Sequence, residues 1–301
     1  MKKKCAFVTG GTSNQLFAMA VLAINISKIC PEMADELVVF TDKEIDKAEL
    51  ARFQKIFPTR FIVYRSPFAN MDNLNEGALR NFSKMVFCKY ECFKLLNEYE
   101  SVIWTDYDVV IKKDFSEILQ RDNSKSEQVH AKFLFSDTII AGKFSPSLYW
   151  HDCTKVLSEM NILHTAISTG LFVLFDSFPN FEEFYEKCIS MTEKYAAHLR
   201  LPEEAVIRVL LDKLCLKWDN LPLQAYACHP LNDAVSTDTK ILHAASHPKF
   251  WEEGLEDNDW NRNYDEWVHK YEGKSRIKQE LKIKRWTKYF LPYGFVKLLK
   301  W

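Results

Sequence analysis

Short apolar runs alternate with longer amphipathic stretches through most of the chain. Runs at residues 5–9, 37–40, 61–64, 102–105, 132–135, 171–175 and 240–243 are rich in Val, Ile and Phe. They are too short for helices and predict strands. Amphipathic stretches at 15–29, 43–57, 81–97, 181–198 and 203–217 predict helices. Thr41-Asp42-Lys43-Glu44 reads as a capping box, and so does Asn180-Phe181-Glu182-Glu183 with Asn in the cap. Pro31 closes the first helix and Pro202 opens the last at its preferred first position. The first half thus alternates strand and helix, the pattern of a parallel α/β sheet, in which ligands bind at the carboxyl ends of the strands.

Composition narrows the class. The 301 residues allow one large domain or two small ones. With 47% hydrophobic and 27% charged residues the chain is ordinary for a soluble, well-cored protein. Eight Gly and ten Pro exclude collagen-like and disordered readings. Aromatic residues at 14% suit a large core and also a groove that stacks on flat rings or sugars. Forty Lys and Arg against 41 Asp and Glu leave a net charge of −1, so bulk charge gives no reason to expect a nucleic-acid partner. The eight cysteines form no CxxC pair, and Cys88 and Cys92 have no His at a zinc spacing. They read as buried thiols of a cytosolic protein. Lys2-Lys3-Lys4 precedes too short an apolar run for a signal peptide, and the longest such run, 16–24, is half a bilayer span.

The composition shifts once, after about residue 273. Residues 274–301 hold nine Lys or Arg against one Glu, interleaved with Trp286, Tyr289, Phe290, Tyr293, Phe295 and Trp301. This segment is a net +8, which leaves −9 for the rest of a chain that carries −1. Its basic and apolar residues recur at roughly helical spacing up to Pro292, which predicts docking on an anionic membrane surface. The plainer alternative is a basic helix packed on the acidic remainder of the chain.

The sharpest chemical feature is the apolar run that ends Thr105-Asp106-Tyr107-Asp108. In extended backbone, residues i and i+2 face one side. Two hard oxygen ligands there can hold a divalent cation and leave open positions for phosphate oxygens. The bland alternative has one Asp capping a turn and the other solvated. His243 ends a second apolar run, with Lys249 six residues on and Trp251 eight on. A lone His in such a place is more often a satisfied core residue. Together, a His for metal, a Lys for phosphate and a Trp to close the site form a coherent set.

With these residues the chain resembles the family 8 glycosyltransferases, which include glycogenin and bacterial lipopolysaccharide galactosyl- and glucosyltransferases. The resemblance runs from about residue 5 to residue 255. Asp106 and Asp108 match the family's metal-binding DxD, Tyr107 lies between them, and His243, Lys249 and Trp251 match its His-x5-Lys-x-Trp element. Lys89 sits at a basic substrate-binding position, Ser168-Thr169-Gly170 where the family has Asn-x-Gly, and Glu203-Glu204 where it has Asp-Gln. Residues 8–15, with Thr9, Asn14 and Gln15, follow the first strand as the nucleotide-binding loop does. Three positions depart: the early Asp of that loop is missing, the Asn is Ser168 and the Gln is Glu204.

The resemblance implies a GT-A nucleotide-diphospho-sugar transferase fold. That is an α/β domain over 1–260 with a mostly parallel central sheet flanked by helices, followed by a basic aromatic helical tail over 261–301. It implies retaining transfer of a hexose from UDP-glucose or UDP-galactose to a saccharide or glycolipid acceptor, in lipopolysaccharide, lipooligosaccharide or other surface-glycan synthesis. Mn²⁺ or Mg²⁺ would sit on Asp106, Asp108 and His243. Thr9, Asn14, Gln15, Lys89, Tyr107, Ser168, Gly170, Lys249 and Trp251 would bind the nucleotide sugar. Glu203 or Glu204 would stabilise an oxocarbenium-like centre or attack it covalently, unless the acceptor attacks from the leaving-group side. The enzyme would be cytoplasmic, peripheral on the inner face of the membrane.

Plainer readings stand beside these roles. Acids in a first helical turn favour the dipole in any case, Lys89 suits a solvated helix face, and Asn14 and Gln15 suit a helix start. The Gly10-Gly11 pair is a weak turn signal with no Rossmann fingerprint after it. His151, His164 and His229 carry no pattern. Two rival functions remain at this point: a haloacid-dehalogenase-type phosphatase built on Asp106-Tyr107-Asp108-Val109-Val110, and a catalytically inactive glycan- or nucleotide-sugar-binding module on a membrane.

Overall fold

The computed structural model describes residues 2–68, 74, 83–121, 129–135 and 167–275. Its strands and helices run in the order β1 (Lys3–Gly11), α1 (Leu16–Ile29), β2 (Glu36–Thr41), α2 (Lys47–Ile56), β3 (Thr59–Val63), α3 (Glu91–Leu95), β4 (Tyr99–Thr105), β5 (Val109–Ile111), β6 (Ala131–Phe135), β7 (Ser168–Phe175), α4 (Phe181–Tyr195), α5 (Pro202–Lys213), β8 (Trp218–Pro222), α6 (Leu223–Tyr226), β9 (Ile241–His243) and α7 (Asn258–His269). Seven strands form one sheet in the order β3-β2-β1-β4-β7-β6-β8. Every neighbouring pair is parallel except those of β7, which runs antiparallel to both β4 and β6. The pair β5–β9 makes a small antiparallel sheet of its own.

Both faces of the large sheet are covered, which is why its strands read as near-continuous apolar runs. Successive side chains point to opposite faces. Ala6, Val8, Val38, Phe40, Val102 and Trp104 pack with Phe93, Phe184 of α4 and Val206 and Leu210 of α5. Cys5, Phe7, Leu37, Val39 and Ile103 pack with α1, Phe53 of α2, and Trp260 and Trp267 of α7. Helix α1 is buried from Phe17 to Ile26, so it is apolar all round rather than striped.

All seven predicted strands are present; the helix ends differ more. Thr41 is the buried last residue of β2, so it caps nothing; its Oγ1 donates to Lys43 O at 2.9 Å. The working cap is Asp46, whose carboxylate accepts from Glu49 N at 2.8 Å, and α2 starts at Lys47. Asn180 precedes α4 in the left-handed region (φ 47°) and makes no side-chain cap bond. Residues 84–90 form a 3₁₀ turn capped by Ser83, and only Glu91–Leu95 is α-helical within the helix expected from 81 to 97. Helix α5 opens on Pro202 as expected but stops at Lys213, because Cys215 turns left-handed (φ 51°) and Leu216 N–H returns to Leu211 O at 2.9 Å. Cys215 is exposed there, unlike the six other described cysteines, which are buried.

Four elements carry too weak a signal to be predicted: β5, β8, α6 and α7. Helix α7 is mostly polar, with Trp260, Asn263 and Trp267 as its buried spine and Asp257 as its cap, accepting from Asp259 N at 2.9 Å and Trp260 N at 3.0 Å. Residue 260, the expected domain boundary, falls within it. After α7, Lys274 Nζ lies 3.3 Å from both Asp46 and Glu49 carboxylate oxygens. The rest of the basic tail, 276–301, lies outside the described residues, as do His151 and His164. No described helix is long and apolar enough to cross a membrane.

Candidate active site

Strand β4 reaches the carboxyl edge of the sheet with Val102, Ile103, Trp104 and Thr105 buried, and Asp106 is the first residue to leave it. The main chain fixes its place: Asp106 N–H donates to Gly170 O on β7 at 2.9 Å. The chain then bends through Tyr107 and Asp108 into β5. Asp106 and Asp108 therefore share a side because of this bend, not because of a continued strand. Across β5–β9, Val109 faces His243, and Ala244 N–H donates to Asp108 O at 2.9 Å. Two separate apolar runs thus deliver two carboxylates and one imidazole to one point.

His243 Nε2 lies 3.2 Å from Asp108 Oδ1 and 3.6 Å from Asp106 Oδ2. One donor atom from each of the three residues fits within a span of 4.8 Å. His243 Nε2 is buried and makes no hydrogen bond. Burial disfavours a charged imidazole, but Asp108 and Asp106 outweigh it and hold the pKa above the ordinary value. Burial likewise opposes ionised Asp108, yet His243 and Lys249 hold its pKa well below the carboxylate range. An imidazole nitrogen without a hydrogen bond, facing two carboxylates, fits a divalent cation: the metal would take the nitrogen lone pair and both anionic oxygens. Gly170 gives the ring its room, since a Cβ there would lie 2.5 Å from His243 Cε1. Lys249 Nζ pairs with Asp108 Oδ2 and donates to Ala244 O at 2.6 Å, so a cation stands at the rim of the cluster.

A second group adjoins it. Lys89 is buried; its Nζ lies 3.3 Å from Asp106 Oδ1, donates to Glu203 Oε1 at 2.9 Å and Thr169 Oγ1 at 3.2 Å, and stands 5.5 Å from the Trp104 ring centroid. Burial opposes its charge, but Asp106, Glu203 and Glu204 outweigh it and raise its pKa. Lys89 is therefore no solvated helix-face residue. Glu203 is 3% exposed, and its Oε2 has no hydrogen-bond partner. Glu204 Oε1 accepts from Thr169 N at 2.9 Å and Ser168 Oγ at 3.1 Å. Burial, then the Glu203 charge, push the Glu204 pKa up to about 7, against the opposing pull of Lys89.

The structure joins Asp106, Asp108, His243, Lys249, Lys89, Ser168, Gly170, Glu203 and Glu204 through direct contacts. Tyr107 and Trp251 stack at the side, with ring centroids 6.1 Å apart and planes at 25°, and Trp251 is buried against Phe17. Gly11 admits the Tyr107 ring, which a Cβ would approach to 2.7 Å. Thr9 is buried at the end of β1, with no hydrogen-bond partner for Oγ1. Asn14 is exposed and, with Ser13, Lys43, Asp46 and Lys274, lines a cavity of about 490 Å³ that no residue of the metal cluster lines. Gln15 is half-buried at the start of α1. Two further residues join the site without a sequence prediction: Thr169, which bridges Lys89 and Glu203, and Trp104, whose Nε1–H donates to Asp106 Oδ1 at 2.9 Å. The i, i+2 spacing of Trp104 and Asp106 was the available signal.

The model of the family "Glycosyl transferase family 8" matches residues 7–254. None of the curated protein sequences matches the chain. Among solved structures, the bifunctional glycosyltransferase WbbM superposes with a TM-score of 0.63 at 15% identity, covering 90% of this chain and 52% of WbbM. The galactosyltransferase LgtC, solved with donor and acceptor sugar analogues, gives 0.63 at 11% identity, covering 92% of this chain and 99% of LgtC. GlyE of Streptococcus pneumoniae TIGR4 gives 0.54 at 13% identity, covering 92% and 67%. The chain thus spans about half of WbbM and nearly all of LgtC. At these identities the likeness shows the fold, which is that of the GT-A glycosyltransferases.

Proposed function

The chain belongs to glycosyl transferase family 8, and from that membership we propose that it is a metal-dependent, retaining hexosyltransferase. Its donor is a UDP-linked hexose, glucose or galactose, and its acceptor is a saccharide or glycolipid. The observation that carries this reading is the convergence of Asp106, Asp108 and the unbonded His243 Nε2 beside Lys249. Family membership leaves the phosphatase reading without support, and the intact ligand set speaks against an inactive binding module.

The chemical problem is departure of a diphosphate from the anomeric carbon. Mn²⁺ or Mg²⁺ on Asp106, Asp108 and His243 would supply Lewis-acid neutralisation of the charge that grows on it. Lys249, already beside Asp108, adds a cation at the same place, and such a contact strengthens as the charge develops. The sugar becomes oxocarbenium-like and needs negative charge and polar contacts nearby. Lys89 is shared between Asp106 and Glu203, so it fixes the carboxylate group relative to the metal group.

Glu204 stands where the resemblance puts Gln. Burial and the neighbouring Glu203 charge raise its pKa, which favours the protonated form. A protonated carboxyl offers an O–H donor and a C=O acceptor, the same pair an amide offers. That supports a polar contact to the sugar over a covalent nucleophile, and with it attack by the acceptor from the leaving-group side.

The basic aromatic tail supports docking on the anionic inner face of a membrane, where a lipid-linked surface-glycan acceptor would be presented. Deleting 276–301 should abolish salt-sensitive pelleting with anionic vesicles; equal pelleting of both forms removes the membrane claim. The donor reading is tested by a screen of nucleotide sugars with Mn²⁺. Slow UDP release from UDP-glucose or UDP-galactose without acceptor is expected, and no release from any UDP-hexose would overturn it.

A further inference from the structure

The residue before Thr105 on β4 carries a hydrogen-bond donor into the candidate metal cluster. Trp104 and Asp106 are two apart, so they stand on one face of the strand. Asp106 still keeps the β4–β7 register, since its N–H donates to Gly170 O at 2.9 Å. The Trp104 indole is buried opposite Phe172 across the two strands, and it stacks on that ring with centroids 6.2 Å apart and planes at 11°. Its Nε1–H donates to Asp106 Oδ1 at 2.9 Å. Lys89 Nζ stands 3.3 Å from the same oxygen, but Lys89 also serves Glu203 and Thr169. The other oxygen, Oδ2, is the one that faces His243 Nε2, at 3.6 Å. Asp108 divides its oxygens in the same way: Oδ1 faces His243 Nε2 at 3.2 Å, and Oδ2 pairs with Lys249. The need to satisfy a buried indole does not account for the Trp104 bond, because the same fold leaves Trp260 Nε1 buried without a hydrogen bond. What the bond does fix is the rotation of the Asp106 carboxylate.

We propose that Trp104 is a positioning residue for the metal: by holding Oδ1, it turns Asp106 Oδ2 toward the point that Asp108 Oδ1 and His243 Nε2 share. The indole touches neither metal nor substrate and acts only through Asp106. Hydrogen-bonded partners of ligating carboxylates set the ligands' orientation and contribute to metal affinity. The assignment rests on the metal reading above.

The test is the affinity of the full chain for Mn²⁺ alone, read from the electron paramagnetic resonance signal of free Mn²⁺, so no turnover is involved. Replacing Trp104 by 3-benzothienylalanine puts sulfur in place of the N–H and keeps the ring's shape, which separates the hydrogen bond from the packing. Mn²⁺ binding should weaken about tenfold, the low end of what losing such a partner costs, while the melting temperature of the metal-free chain stays near wild type. Trp104→Phe loses the same donor and should weaken Mn²⁺ binding at least as much; should it fail to fold, the isostere still decides. In the Asp106→Asn chain the isostere should weaken Mn²⁺ binding no further, because its effect runs through that carboxylate. Wild-type affinity in the isostere protein would overturn this assignment alone. An equal loss with and without the Asp106 carboxylate would mean an effect through packing and would overturn it too. Wild type that takes no Mn²⁺ would remove the metal reading and this assignment together.

Discussion

The two ends of the central sheet hold charge in opposite ways. At the amino end, Glu36 sits among Lys3, Arg60 and Tyr99: its Oε1 accepts from Lys3 Nζ and the Tyr99 hydroxyl, and Arg60 donates to Tyr99 Oη at 2.9 Å. Burial would raise the Glu36 pKa, but these hydrogen bonds outweigh it and lower it. At the carboxyl end, His243 Nε2 and Glu203 Oε2 are buried without a hydrogen bond, and Glu204 is pushed up to about 7. Buried polar groups are normally satisfied. At the amino end the carboxylate is closed by its neighbours, and of these four residues only Arg60 Nε is left without a partner; open groups beside a carboxyl pushed up in pKa and a candidate metal cluster mark the end where a ligand completes the set.

If that division is right, the largest losses of activity come from the carboxyl end with little loss of stability. Asp106→Asn and Asp108→Asn should each lower hexose transfer by at least about a hundredfold, as loss of transition-state charge stabilisation does. Their melting temperatures should stay near wild type. Unfolding of either variant at ambient temperature would instead make these carboxylates structural. Lys249→Ala comes next: kcat should fall by about tenfold or more, because the leaving-group charge is largest in the transition state. A change confined to donor KM would contradict that.

The same contrast explains what the sequence discloses. The strands are legible because both faces of the sheet are covered, and each leaves an uninterrupted apolar run. Asp106, Asp108, His243 and Lys249 are legible because chemistry fixes their types and spacing. Helix α7 is not, because its buried spine is only Trp260, Asn263 and Trp267 amid polar residues. The cap of α2 is misread because Thr41 and Asp46 both begin a cap-like tetrad, and only the length of β2 decides between them. The Lys89–Thr169–Glu203 contacts join three distant segments, and no local pattern carries them.

Smaller effects sharpen the comparison. Glu204→Gln should keep more than about a tenth of wild-type turnover if the side chain makes only a polar contact; abolished turnover would make it the nucleophile. It should also alter stability with a definite sign. A carboxyl whose pKa rises from 4.5 to about 7 on folding costs stability increasingly as pH climbs through that window. The melting temperature of Glu204→Gln relative to wild type should therefore rise between those pH values and level off above them. At the other end, Glu36→Gln should cost about 1–3 kcal/mol of stability through its charged hydrogen bonds, and leave kcat/KM within about twofold. Its depressed pKa means that this contribution is present above pH 4.5 and fades as pH falls further. A drop in activity as large as the Lys249→Ala effect would erase the distinction between the two ends.

The central claim is that Asp106, Asp108 and His243 together hold the metal that holds the nucleotide. Calorimetry of UDP binding, with Mn²⁺ and after chelation, on wild type and His243→Ala tests it most directly. Wild type should bind UDP only when Mn²⁺ is present, and His243→Ala should lose that binding. Binding that ignores Mn²⁺, or a His243→Ala variant that binds Mn²⁺ and UDP as wild type does, would contradict it.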